Sequence, residues 1–143
     1  MASMTEAESP ATSLFLDANV LVSAAWKEGA EIAALWRMKN VRLITSSYVM
    51  GEVLRNLPRI DQAERLRVLM RSVEVFTLEV FQEFDASFPL PLKDRPVLAG
   101  AIAAGADHLV SGDKRHFGPL YGKVIQGVRI TSPPELLSLL RQG

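Results

Sequence analysis

The sequence predicts an α/β fold, a three-layer α/β/α sandwich with a central, mainly parallel sheet of four to five strands. Three observations carry this reading. Short apolar runs of strand length alternate with longer segments of helical spacing from residue 13 onward. The run Leu14-Phe15-Leu16 is continuously apolar, as in strands covered on both faces. Finally, Asp17 and Asp113 each close a strand-like run, and ligands meet open α/β sheets at the carboxyl ends of strands.

The elements follow in order. Leu14 to Leu16 is the first strand, and Asn19 to Trp26 a short helix closed near Gly29. Ala30 to Lys39 carries Ile32, Leu35, Trp36 and Lys39 at helical spacing. Val41 to Thr45 is the second strand. Ser46 or Ser47 then caps a helix that runs towards Leu57 and stops at Pro58. Asp61 to Arg71 is a strong helix former, with Ala63, Leu66, Leu69 and Met70 apolar. Val73 to Phe76 is the third strand. Thr77 to Ser87 reads as helical, with Leu78, Phe81 and Phe84 at three-residue spacing, which makes Asp85 a surface helix residue. Residues 88–91 form a loop. Asp94 stands two residues before Pro96, which suits a first helical turn, and the Ala-rich helix continues to about Gly105. His108 to Ser111 is the fourth strand and Val128 to Ile130 the fifth. Ser132-Pro133-Pro134-Glu135 is a capping-box pattern that opens a last helix of Leu136, Leu137, Leu139 and Leu140.

Composition narrows the classes. A chain of 143 residues suits one domain, here residues 13–143 behind a flexible tail of residues 1–12. The absence of cysteine excludes disulfides and thiolate zinc sites and is compatible with a reducing cytoplasm. Two histidines are too few for a His-rich metal site, and a net charge of zero means that any polyanion must be held by a local basic patch. The longest apolar run, Pro96 to Ala106, is too short to cross a bilayer. The acidic N-terminus lacks the basic region of a secretory signal.

Asp17 is the energetic oddity, because an ionised carboxylate among apolar residues costs several kcal/mol unless it is paired or metal-bound. Three other acids sit at comparable positions. Asp113 follows the fourth strand, Asp94 opens the Ala-rich helix, and Glu52 lies one to two turns into the helix after the second strand. Each has a plainer reading as well. Asp94 suits an N-cap, Asp113 a turn after Gly112, and Glu52 a solvated helix position. Strand carboxyl ends gather on one edge of a parallel sheet, so Asp17 and Asp113 converge there with the helix starts. At ~5 Å and an effective dielectric near 20, each carboxylate pair repels by roughly 3 kcal/mol. A cluster of this kind calls for protons or cations, and oxygen-only ligands favour Mg²⁺ or Mn²⁺ over zinc.

The chain resembles a PIN domain, the metal-dependent nuclease fold of VapC-type toxins. The matching pieces are residues 15–21 (FLDANVL), 46–54 (SSYVMGEVL), 93–101 (KDRPVLAGA) and 105–117 (GADHLVSGDKRHF). By position, the resemblance implies that Asp17, Glu52, Asp94 and Asp113 are the catalytic, metal-binding acids. Asn19 and Ser111 match polar positions that support such a site, with Ser111 standing where the family usually has Thr. The resemblance further implies an endoribonuclease that uses Mg²⁺ or Mn²⁺, an RNA substrate, a cognate antitoxin protein, a homodimer and a cytoplasmic location. The alternative class is a non-catalytic PIN-like module that binds protein or RNA. An aspartyl-phosphate enzyme is disfavoured, because Asp17-Ala18-Asn19 lacks the second Asp of haloacid-dehalogenase-like sites and no phosphate-loop motif is present.

Lys93, Arg95, Lys114, Arg115 and His116 flank the acids and are candidate phosphate contacts, with a solvated loop as the plainer reading. His116 is read as a surface or phosphate-contact residue. Arg55, Arg59, Arg65, Arg67 and Arg71 are read as solvating helices, and Trp26 and Trp36 as core or interface anchors. Asp107 precedes the fourth strand at the opposite sheet edge from Asp113, and is expected to cap the end of the Ala-rich helix.

Overall fold

The computed structural model describes residues 11–77 and 82–142. A six-stranded sheet runs in the order β3-β2-β1-β4-β6-β5. Its strands are β1 (Thr12–Leu16), β2 (Val41–Ser46), β3 (Val73–Phe76), β4 (His108–Val110), β5 (Val124–Ile125) and β6 (Val128–Thr131). All neighbouring pairs are parallel except β5 with β6. The strand beyond the expected four to five is the two-residue β5. It folds back on β6 through Gln126 and Gly127, both at positive φ.

β1 lies at the centre because it has the least to lose from burial. Leu14, Phe15 and Leu16 are fully buried, and each contributes roughly 2 kcal/mol of apolar transfer. β1 begins at Thr12, which pairs with Val41. The helices are α1 (Ala18–Trp26), α2 (Ser47–Arg55), α3 (Ile60–Leu69), α4 (Arg95–Ala103) and α5 (Pro133–Gln142). Ser46 caps α2 by accepting a hydrogen bond from the Val49 amide at 3.2 Å. α4 comes close to the sheet at Gly100. A Cβ there would stand 3.2 Å from the Phe15 ring and 3.7 Å from Ser46, so hydrogen is what lets helix and sheet meet.

Three local expectations are corrected. Residues 31–37 form a 3₁₀ rather than an α-helix. Within the expected helix 77–87, residues 78–81 lie outside the described residues, residues 82–85 have no regular structure and residues 86–87 form a turn. Phe84 there stacks on Phe88, with ring centroids 4.9 Å apart. Asp85 is therefore not a helix residue. Its carboxylate accepts from the amide and hydroxyl of Ser87 in a tight turn. Asp107 is structural, as expected, but clips strands together instead of capping a helix. Its Oδ2 accepts from the Ser13 amide at 2.8 Å and the Ser13 hydroxyl at 3.1 Å.

Arginines support the frame. Arg65 donates to the Ala25 and Trp26 carbonyls at the end of α1 and to Asp61. Gln62, buried beneath, also donates to the Trp26 carbonyl. α3 thus closes the carbonyl end of α1. No described helix is long and apolar enough to cross a membrane.

Candidate metal centre

The carboxyl edge of the sheet brings Asp17 and Asp113 together through backbone pairing, whereas Asp94 and Glu52 are carried in by helices. The Asp17 amide donates to the Val110 carbonyl at 3.0 Å, extending the β1–β4 ladder by one residue. This brings residues 17–19 beside residues 111–113. Ser111 donates its hydroxyl to Asp17 Oδ2 at 2.8 Å, and Asn19 donates to the same oxygen at 3.2 Å. The Ala18 amide donates to Asp17 Oδ1 at 2.8 Å. Asn19 turns its own oxygen to the Gly112 amide at 2.7 Å, so one side chain ties the two strand ends together. Tyr121 completes the support by donating to the Ser111 carbonyl at 2.7 Å.

Asp17 is only 6 % exposed, and burial pushes its carboxyl up to about 6. The hydrogen bonds from Ser111 and Ala18 work in the other direction without winning, and the charges of Glu52 and Asp94 raise it further. Among the described residues no cationic side chain forms an ion pair with Asp17. Its charge is therefore hydrogen-bonded but not neutralised.

Asp94 stands at the N-terminus of α4, yet its side chain makes no capping bond. Asp94 thus holds the N-cap position without making the capping bond, and its carboxylate turns to the site. Burial raises its pKa, opposed by His116 and Lys93 and reinforced by Asp113 and Glu52. Asp113 divides its two oxygens. Oδ1 accepts from the His116 amide at 3.1 Å, which keeps part of the turn reading, and Oδ2 faces the site. The His116 Nδ1 lies 3.0 Å from Asp94 Oδ2 and 3.1 Å from Asp113 Oδ2. Despite these distances, neither His116 Nδ1 nor Asp94 Oδ2 has an aligned hydrogen-bond partner, and both atoms are buried. One ligand atom from each of Asp94, Asp113 and His116 falls within 4.8 Å of the others. Two orphaned buried atoms beside a carboxylate oxygen form a donor set that fits a divalent cation.

The remaining predicted residues fall into three groups. Glu52 is exposed on α2; its charge acts on both Asp17 and Asp94, and it lines a cleft with Asn19, Val22, Trp26 and Asn56. Lys93, Lys114 and Arg115 are exposed around the acids. Arg95 turns away. Its guanidinium donates to the carbonyls of Leu90 at 2.9 Å and Phe88 at 3.0 Å, so it fastens the preceding loop instead of offering a phosphate contact.

Sequence reasoning read His116 as a surface or phosphate-contact residue; its ring stands between two acids, with the side chain 23% exposed. The signal was the spacing from Asp113 to His116. A turn closed by the Phe117 amide on the Asp113 carbonyl puts residues three apart side by side. It also passed over Tyr121, whose support of Ser111 depends on the β4–β6 connection. Trp26 is half exposed at the cleft margin and so is no core anchor, whereas Trp36 is partly buried and donates to the Leu69 carbonyl.

The fold has solved counterparts. VapBC2 from Rickettsia felis, solved bound to a DNA fragment from its promoter, matches with a TM-score of 0.56 at 17% identity over 85% of this chain and 98% of that chain. VapBC-1 from nontypeable Haemophilus influenzae matches at 0.55 and 14% identity over 86% and 99%. The RRP44 PIN domain of T. brucei matches at 0.55 and 17% identity over 92% and 82%. No curated protein matches in sequence. The family model described as PIN domain matches residues 13–115, a span that holds β1 to β4 and the acids Asp17, Glu52, Asp94 and Asp113. The chain belongs to the PIN domain family.

Proposed function

We propose that the protein is a Mg²⁺- or Mn²⁺-dependent endoribonuclease, and that it acts as the toxin of a toxin–antitoxin pair. The observation that carries the proposal is the convergence of unneutralised donor atoms on one sheet edge. Asp17 is buried without a counter-charge, and Asp94 Oδ2 is buried without a hydrogen bond. An antitoxin partner and a toxin's role are supported by the likeness to the two VapBC structures.

In this reading Asp94 and Asp113 supply the anionic oxygens that hold the cation. Asp17, oriented by Ser111 and Asn19, completes its inner side, and Glu52 adds negative charge from α2. A bound divalent ion supplies a water acidified towards neutral pH and offsets charge on the phosphodiester during in-line attack. Lys93, Lys114 and Arg115, all exposed beside the acids, hold the flanking phosphates. Asn19 and Tyr121 keep the two strand ends in register and need not touch substrate.

The test is cleavage of RNA during a titration with Mg²⁺ or Mn²⁺, using wild type and Asp113→Asn. We expect cleavage that requires the ion, stops with EDTA and falls at least about a hundredfold in the variant. Equal cleavage by wild type and variant would show that the nuclease reading is wrong.

A further inference from the structure

We infer that His116 Nδ1 is a nitrogen ligand of the cation held by Asp94 and Asp113, and that it tilts the centre towards Mn²⁺ over Mg²⁺. The inference rests on the metal-centre reading above and adds to it a ligand and a preference. In an octahedral site with bonds of about 2.1 Å, adjacent ligand atoms stand about 3 Å apart. His116 Nδ1 keeps this separation from both neighbours, 3.0 Å to Asp94 Oδ2 and 3.1 Å to Asp113 Oδ2.

The alignment points the same way. An imidazolium serving as counter-ion to two acids would aim its N–H at one of them. Here the Nδ1 atom is buried and makes no aligned hydrogen bond to either, and Asp94 Oδ2 is likewise unpaired. A lone pair directed to a shared point between the three residues accounts for all of these features.

The ring is also held in place. The His116 amide is tied to Asp113 Oδ1, and Phe117, fully buried, anchors the next residue. Asp113 thus fixes the backbone of His116 with one oxygen and keeps the other for the cation. The His116 side chain is only 23% exposed, which limits its alternatives.

The chemistry then sets the preference. Mg²⁺ takes oxygen ligands almost exclusively, whereas imidazole suits transition ions, and affinity for a mixed site rises along the first-row series. Two carboxylates and one imidazole therefore hold Mn²⁺ better than Mg²⁺, and Co²⁺ better still.

The experiment is calorimetric titration of the metal-free protein with Mn²⁺ and with Mg²⁺, together with pulsed EPR of the Mn²⁺ form. Wild type and His116→Ala are compared. We expect wild type to bind Mn²⁺ at least about tenfold more tightly than Mg²⁺ and to show nitrogen hyperfine coupling. His116→Ala should lose the coupling and about tenfold in Mn²⁺ affinity, with Mg²⁺ changed by less than about threefold. Mn²⁺ bound by wild type without nitrogen coupling overturns the inference and leaves the metal centre standing. Tighter binding of both ions by His116→Ala would identify a counter-ion and also overturn it. Failure of wild type to bind either ion overturns the inference and the metal centre together. The EPR measurement on wild type stands even if the variant does not fold.

Discussion

Asp17 accepts three hydrogen bonds, and burial still holds its carboxyl at about 6, above the ordinary value of 3.8. The folded protein therefore binds this proton more tightly than the unfolded chain does. Between about pH 4 and pH 6 the unfolded state releases the proton first, so the group's contribution to stability declines as pH rises and levels off above about pH 6. The full penalty is about 3 kcal/mol in the absence of a cation. Asp17→Asn should consequently raise the Tm of the metal-free protein at pH 7.5, by an amount equivalent to about 1–2 kcal/mol, with the gain fading towards pH 4.5. Thermal unfolding at the two pH values checks this; a variant less stable than wild type at pH 7.5 would count against the burial argument. Asp17 and Asp113 were legible in the sequence because each polar residue ends an apolar run. His116 was legible only as a residue three positions after Asp113, and its place between two acids depends on the turn after Gly112. Arg95 was misread for a similar reason, since its partners are main-chain carbonyls that carry no sequence signal.

The β–α alternation was visible element by element, because apolar strand runs, the serine cap before α2 and the proline in the first turn of α4 are local signals. What escaped were segments decided by tertiary contacts. Phe84 follows Phe88 rather than a helical repeat, and the loop from 86 to 90 owes its shape to Arg95. Arg95 bonds that loop while standing next to Asp94, so loop and acid are mechanically linked. Arg95→Ala should cost about 1–3 kcal/mol in urea unfolding, because it leaves partly buried carbonyls unmatched. Arg95→Lys should restore less than half of this, since a single ammonium cannot reproduce the fork. Full recovery by lysine would show that charge alone matters there.

At the scale of the whole molecule, the sheet order places β1 between β2 and β4 and sets Asp17 and Asp113 on one edge. The fold class was legible from patterning, but the strand order was not, because it depends on which strands pair across long separations. A cation that binds only the folded state should stabilise the entire domain. Mn²⁺ at a hundredfold excess over its Kd should add about 2.7 kcal/mol, or roughly 8 °C in Tm, with EDTA reversing the gain. A Tm indifferent to Mn²⁺ at pH 7.5 would mean that the edge does not gather an ion. The bond from Ser111 to Asp17 spans 94 residues of chain. During synthesis, Asp17 leaves the ribosome long before its hydroxyl partner or Asp113 exists. Until β4 docks beside β1, the growing polypeptide has only isolated carboxylates in water, and a prematurely terminated product never acquires the cluster. The central position of β1 therefore ties the site to the order of synthesis, because the acids come together only once the chain has passed Asp113.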